Sequence, residues 1–149
     1  MRFLLLFSLL FITSLGLSAQ ENNPVFWTCS YKTISATEGE VTIVGKIQAG
    51  WHTYSQRPTD AGPISTTVQF VESNLFELVG KTEEFNVHEE YDKAFEAKLF
   101  MFSDKAEFRQ KIKLKAKPGF TVSVKVEFVS CSDNMCLPPK TIELNVKAQ

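Results

Sequence analysis

The 149 residues are 44% hydrophobic and 22% charged, with seven Gly and six Pro, which fits one compact domain and excludes collagen-like, low-complexity and disordered classes. Sixteen Lys and Arg against seventeen Asp and Glu leave a formal net charge of −1, without the basic excess that draws a chain onto phosphates, so nucleic acid is not an expected partner. Three cysteines are too few for a disulfide-dense miniprotein, and a chain this long buries roughly two thirds of its unfolded surface unaided.

In chain order, Arg2 makes a short positive start, and Phe3 to Leu17 is an apolar run broken only by Ser8, Thr13, Ser14 and Gly16. The run is shorter than the about 20 residues that cross a bilayer as a helix, and Ser18-Ala19 offers small residues for cleavage before Gln20. We read residues 1–19 as a secretory signal peptide, with an uncleaved anchor as the alternative. No Cys stands just after the run, which argues against a lipoprotein. Residues 20–149 then form a single domain, not inserted in the membrane, in a compartment where disulfides persist.

Beyond residue 20 the hydrophobic period is mostly two. Val122, Val124, Val126 and Phe128 alternate with Thr121, Ser123, Lys125 and Glu127, the pattern of a half-buried strand. Phe108, Ile112 and Leu114 alternate with Arg109, Lys111, Lys113 and Lys115; Val41, Ile43 and Ile47 with Thr42 and Lys46; Ile142, Leu144 and Val146 close the chain. Shorter strands are expected at Val25 to Tyr31, Thr66 to Val71, Phe76 to Val79 and Leu99 to Phe102. Turn signals fall at Glu38-Gly39, Ala49-Gly50, Gly62-Pro63, Ser103-Asp104 and Lys117-Pro118-Gly119. Strands at this spacing predict an all-β antiparallel sandwich and not βαβ units. One segment departs: from His88 to Phe100, the apolar Tyr91, Ala94, Phe95 and Leu99 stand at helical spacing, predicting a single short helix or an ordered loop across the sheet.

Chemistry points to Cys131-Ser132-Asp133-Asn134-Met135-Cys136, followed by Leu137-Pro138-Pro139. The segment lies between two strong strands and reads as a hairpin tip, where facing residues have Cα atoms ~4.5–5.5 Å apart, within reach of a disulfide. As a staple it would contribute little: closing about six residues is worth roughly 2 kcal/mol, against ~4.5 for about 80. Redox exchange is therefore favoured over a structural bridge. Soft-metal binding is a third reading, since Cys131, Met135 and Cys136 with a nearby His would suit Cu(I). Neither His has the spacing of a hydrolytic metal site, and no Gly-rich phosphate loop occurs.

Gly50-Trp51-His52-Thr53-Tyr54-Ser55, Gly62-Pro63, His88-Glu89-Glu90-Tyr91-Asp92 and Phe128 to Pro139 together resemble the N-terminal periplasmic domain of the thiol:disulfide interchange protein DsbD family, over nearly all of residues 20–149. The resemblance implies an immunoglobulin-like β-sandwich with a cap loop over a cysteine-bearing hairpin. It implies a periplasmic carrier; no cofactor or metal is expected. Such a carrier relays electrons from a thioredoxin-like donor to oxidised proteins, disulfide isomerases and the cytochrome c maturation branch among them. Family members continue into membrane-spanning and thioredoxin-like domains; with the sequence ending at Gln149, the donor is expected to act in trans.

Carried over by position, Cys131 and Cys136 are the redox pair, Glu90, Tyr91 and Asp92 the cap, and Tyr91 the aromatic covering the disulfide. His52 and Tyr54 occupy the aromatic positions beside it. Asp133 between the cysteines, with Glu90 and Asp92 approaching from the cap, is expected to hold the thiolate fraction low. Cys29 is expected to sit inert in the first strand, since free Cys is among the most buried residue types; a mixed disulfide is the alternative. The basic alternation from Arg109 to Lys117 reads as a solvated sheet face or a protected edge, ahead of an anion site.

Overall fold

The computed structural model describes residues 23–60 and 62–149; the signal-peptide reading of residues 1–19 lies outside them. Eleven strands follow in chain order: β1 (Val25–Thr33), β2 (Glu38–Ile47), β3 (Trp51–Tyr54), β4 (Thr67–Phe70), β5 (Phe76–Phe85), β6 (His88–Asp92), β7 (Ala97–Phe102), β8 (Lys105–Leu114), β9 (Thr121–Phe128), β10 (Ser130–Ser132) and β11 (Lys140–Lys147). They form three sheets, ordered β1-β2-β8-β5, β11-β9-β4 and β10-β3-β7-β6. All the pairings are antiparallel. No helix among the described residues is long and apolar enough to cross a membrane.

The first two sheets make the sandwich. Val25 and Trp27 of β1, Val41 and Ile43 of β2, Phe108 and Ile112 of β8 join Val122, Val124, Val126 and Phe128 of β9 in one buried cluster. Each such side chain contributes about 1.5–3 kcal/mol on burial. Trp27 ties the layers, its ring 6.1 Å from Phe108 and 5.2 Å from Phe128. Gly45, its register partner on β2, makes this possible: a Cβ there would stand 2.8 Å from the indole. Glu38-Gly39, expected as a turn, lies instead in β2, with Gly39 paired to Thr33 of β1; glycine is required there because a Cβ would collide with the Tyr31 ring laid across it.

Gln110 breaks the apolar alternation of β8 for a reason. It is 1% exposed, facing a register shift of β5 between Val79 and Glu83, where Gly80 takes φ 72°. Its amide donates to the Val79 carbonyl at 3.0 Å and accepts from the Thr82 hydroxyl at 2.8 Å, satisfying the bulge from within the core. The outward basic residues of β8 belong to a solvated face: Lys113 pairs in register with Glu38 and Glu77, Lys111 with Glu40, and Arg109 with Glu83. β8 is an interior strand, so the edge version of that expectation falls.

The third, smaller sheet continues the sandwich at one end. β3 follows β2 through a turn in which the Trp51 N–H reaches the Gln48 carbonyl at 3.0 Å. β7 leads into β8, and β10 prolongs β9 past Val129. The helix or crossing loop expected from His88 to Phe100 is instead the β6–β7 hairpin, with His88 opposite Met101 and Asp92 opposite Ala97. The buried residue of β6 is the polar Asp92, which removed the period-two signal and left a spurious helical spacing.

Candidate active site

Across the step from β9 to β10, the Thr53 hydroxyl donates to the Val129 carbonyl at 2.8 Å. β10 then pairs with β3 in the register Ser130 to Thr53, Cys131 to His52, and Ser132 to Trp51. The Ser132 N–H reaches the Met135 carbonyl at 2.8 Å and the Leu137 N–H reaches the Ser130 carbonyl at 2.9 Å. The Ser132 hydroxyl also accepts from the Met135 N–H at 3.3 Å, an arrangement for which Ser, Asp and Asn are well suited. Cys131 and Cys136 face one another across this turn, Cα atoms 4.0 Å apart and sulfurs bonded.

The two cysteines occupy different environments. Cys131 is 0% exposed, in a cluster with Tyr54, Leu99, Met101 and Val129 against which Phe95 and Ala97 pack. Cys136 is exposed. After it, Pro138 and Pro139 lack the N–H groups needed to extend the ladder, and pairing with β9 resumes only at Lys140.

Asp92 organises the segment facing the hairpin. Its Oδ1 accepts from the Ala94 and Phe95 N–H groups at 2.8 and 3.2 Å, reversing the chain after β6, and Glu96 completes the turn at φ 52°. Its Oδ2 accepts from the Tyr54 hydroxyl at 2.6 Å and lies 3.2 Å from His52 Nε2. One buried carboxylate thus fixes the turn to β3. The Phe95 ring meets Tyr54 edge-on at 6.2 Å, and Tyr54 meets His52 edge-on at 5.3 Å.

Burial alone would raise the Asp92 carboxyl, but the hydrogen bonds from Tyr54, Phe95 and Ala94, with the His52 charge, hold it below the ordinary carboxylate range. Burial, then the hydrogen bond to Asp92 and its charge, push the Tyr54 phenol far above its usual value, so that hydroxyl remains a donor. The other two carboxylates expected near the cysteines have counter-groups of their own. Asp133 meets Lys93 at 2.7 Å, and Glu90 meets His88 at 3.1 Å. The ammonium of Lys93 lowers the Asp133 carboxyl.

His52, Glu90, Tyr91, Asp92 and Asp133 line one cleft of about 180 Å³, together with Lys93. Tyr54 lies beneath it beside Cys131. Tyr91 is 57% exposed on β6, whereas the turn aromatic packed on the cluster holding Cys131 is Phe95. Sequence reasoning passed over Phe95, Lys93 and the Thr53–Val129 tie; the legible hint was Asp92 three residues ahead of an aromatic, the sequence of an Asx turn. Cys29 stands on β1, free and half-buried, and burial raises its thiol. No group of three or more His, Cys, Asp or Glu among the described residues is placed to hold a metal ion.

Solved structures share this fold. The N-terminal domain of DsbD from Neisseria meningitidis in its reduced form matches with a TM-score of 0.53 at 13% identity, covering 83% of this chain and 86% of that one. The same domain in a complex with the PilB N-terminal domain of that organism gives 0.51 at 12% identity, covering 80% of each chain. The N-terminal periplasmic domain of ScsB from Proteus mirabilis gives 0.54 at 15% identity, covering 81% of this chain and 44% of that one. No curated protein sequence matches. The family model described as thiol:disulfide interchange protein DsbD, N-terminal, matches residues 24–148, and this immunoglobulin-like β-sandwich with its cysteine hairpin and facing turn belongs to that family.

Proposed function

We propose that this domain is a periplasmic thiol–disulfide exchange carrier whose Cys131–Cys136 pair passes two electrons from a thioredoxin-like protein or domain to oxidised proteins of that compartment. The observation that carries the reading is the asymmetry of the pair, one cysteine fully buried under a turn and the other exposed at a hairpin tip. A partner thiolate attacks the exposed Cys136, the electron pair of the broken bond leaves on Cys131, and a mixed disulfide forms; a second partner thiol then resolves it. In the delivering direction Cys136 attacks the acceptor disulfide and Cys131 resolves. The leaving thiolate would form in a buried apolar cluster, which disfavours the charge and slows adventitious reduction by small thiols. The turn Lys93–Glu96, with Phe95 in place of Tyr91 as its packing aromatic, acts as the cap in this reading. Family membership supports exchange chemistry, and the DsbD–PilB complex supports a partner docking on this fold.

A redox titration tests the proposal. A carrier equilibrates reversibly with thioredoxin-like dithiols, near about −270 mV, whereas a structural bridge resists reduction to below about −300 mV. A couple in the second range would replace exchange by a binding module with a structural disulfide.

A further inference from the structure

The register of β3 against β10 sets His52 directly opposite Cys131, and directly paired residues of antiparallel strands share a face with Cβ atoms ~4.5–5.5 Å apart. The ring is tied at one nitrogen: Nε2 lies 3.0 Å from the Tyr54 hydroxyl oxygen and 3.2 Å from Asp92 Oδ2. Tyr54 gives its one proton to Asp92, so Nε2 carries a proton too, since a bare lone pair there would face the carboxylate. Nδ1 is then the nitrogen at which the ring gains or loses a proton.

We propose that His52, oriented by Asp92 and Tyr54, is the proton partner of Cys131 during disulfide exchange. When a partner thiolate attacks Cys136 Sγ, the Cys131–Cys136 bond breaks and its electron pair leaves on Cys131 Sγ. The His52 imidazolium passes its Nδ1 proton to that thiolate, leaving a thiol, a neutral imidazole and the mixed disulfide. In the resolving direction neutral His52 takes the proton back, the Cys131 thiolate attacks Cys136 Sγ, and the partner leaves as a thiolate. The need for such a group follows from the 0% exposure of Cys131, where water does not solvate the developing charge. The other charges around the ring are already matched: Lys93 with Asp133, and Glu90 with His88. Asp92 is left as the carboxylate that holds the imidazolium.

The inference rests on the exchange reading, and one experiment separates them. Reduced protein in a Cys29→Ser background is treated with a thionitrobenzoate disulfide, which caps the exposed Cys136; release of the second thionitrobenzoate then reports attack by Cys131. We expect His52→Gln to slow that second release about tenfold near pH 7, the effect of shifting a thiol by about one pKa unit, with the two proteins converging above about pH 9. His52→Tyr, which keeps a ring and a donor toward Asp92, should show the same defect if both variants melt like the parent. Superimposable pH profiles, or faster release in His52→Gln, would overturn the role of His52; the faster result would mean that the ring only holds the turn shut. Absence of a second release from the parent itself would overturn the exchange reading and this inference with it.

Discussion

The sandwich and the small sheet at its end are built by opposite rules. The sandwich core is apolar and closed from both layers, so its geometry is set by volume and alternation. The small sheet encloses only a few apolar side chains around Cys131, and most of the buried polar residues of the described molecule cluster in or beside it: Thr53, Ser55, Thr66, Asp92 and Ser130. There the structure depends on individual hydrogen bonds, such as Thr66 Oγ1 to the Tyr54 carbonyl and Ser55 Oγ to Glu84. Packing of the first kind resists local opening, whereas a region held by individual hydrogen bonds is sensitive to the loss of any one of them.

Substitutions should divide along the same line. Phe108→Ala, at the centre of the sandwich, should cost about 3–5 kcal/mol in denaturant unfolding. Gln110→Ala should cost about 1–3 kcal/mol, because the Thr82 hydroxyl and Val79 carbonyl lose a buried partner. Phe95→Ala should leave global unfolding nearly unchanged and yet speed reduction of the disulfide by a small phosphine, as measured by thiol release. Tyr91→Ala should do neither to a comparable degree, and equal acceleration by both variants would return the capping role to Tyr91.

Acid should separate the two regions as well. Asp92 has a depressed carboxyl in the folded state, so its contribution is complete above the unfolded value of about 3.9 and is lost as pH falls through the lower folded value. Amide protection at Ala94 and Phe95 should therefore decline in acid before that of β8 and β9, as hydrogen exchange would register. Asp92→Asn should abolish this separate step. The smallest effect belongs to Lys93→Ala: the Lys93–Asp133 pair is exposed on both sides, so stability should not change measurably, and any effect on reduction should vanish in high salt.

What the sequence revealed divides along this boundary too. The long strands of the sandwich were readable because one face is apolar at every second residue, as in Val122 to Phe128. β3, β6 and β10 were not recognised as strands. Each is five residues or fewer, and their buried positions include Thr53, Asp92 and Ser130, so alternation carries no hydrophobic signal there. The cysteine hairpin was legible from its spacing and prolines, and the resemblance drew attention to the segment that faces it. The identity of the packed aromatic was not, because Asp92 turns the chain one residue after Tyr91 and delivers Phe95 to the cluster instead.

The most direct measurement concerns the unequal cysteines. Each single-cysteine variant is mixed with a thioredoxin-like protein that retains one cysteine, activated as a thionitrobenzoate disulfide, and the covalent complex is quantified. Cys131→Ala, which leaves the exposed Cys136, should be trapped readily, and Cys136→Ala, which leaves the buried Cys131, should not. Preferential trapping through Cys131 would contradict the assignment of roles, and trapping through neither would contradict exchange at this site.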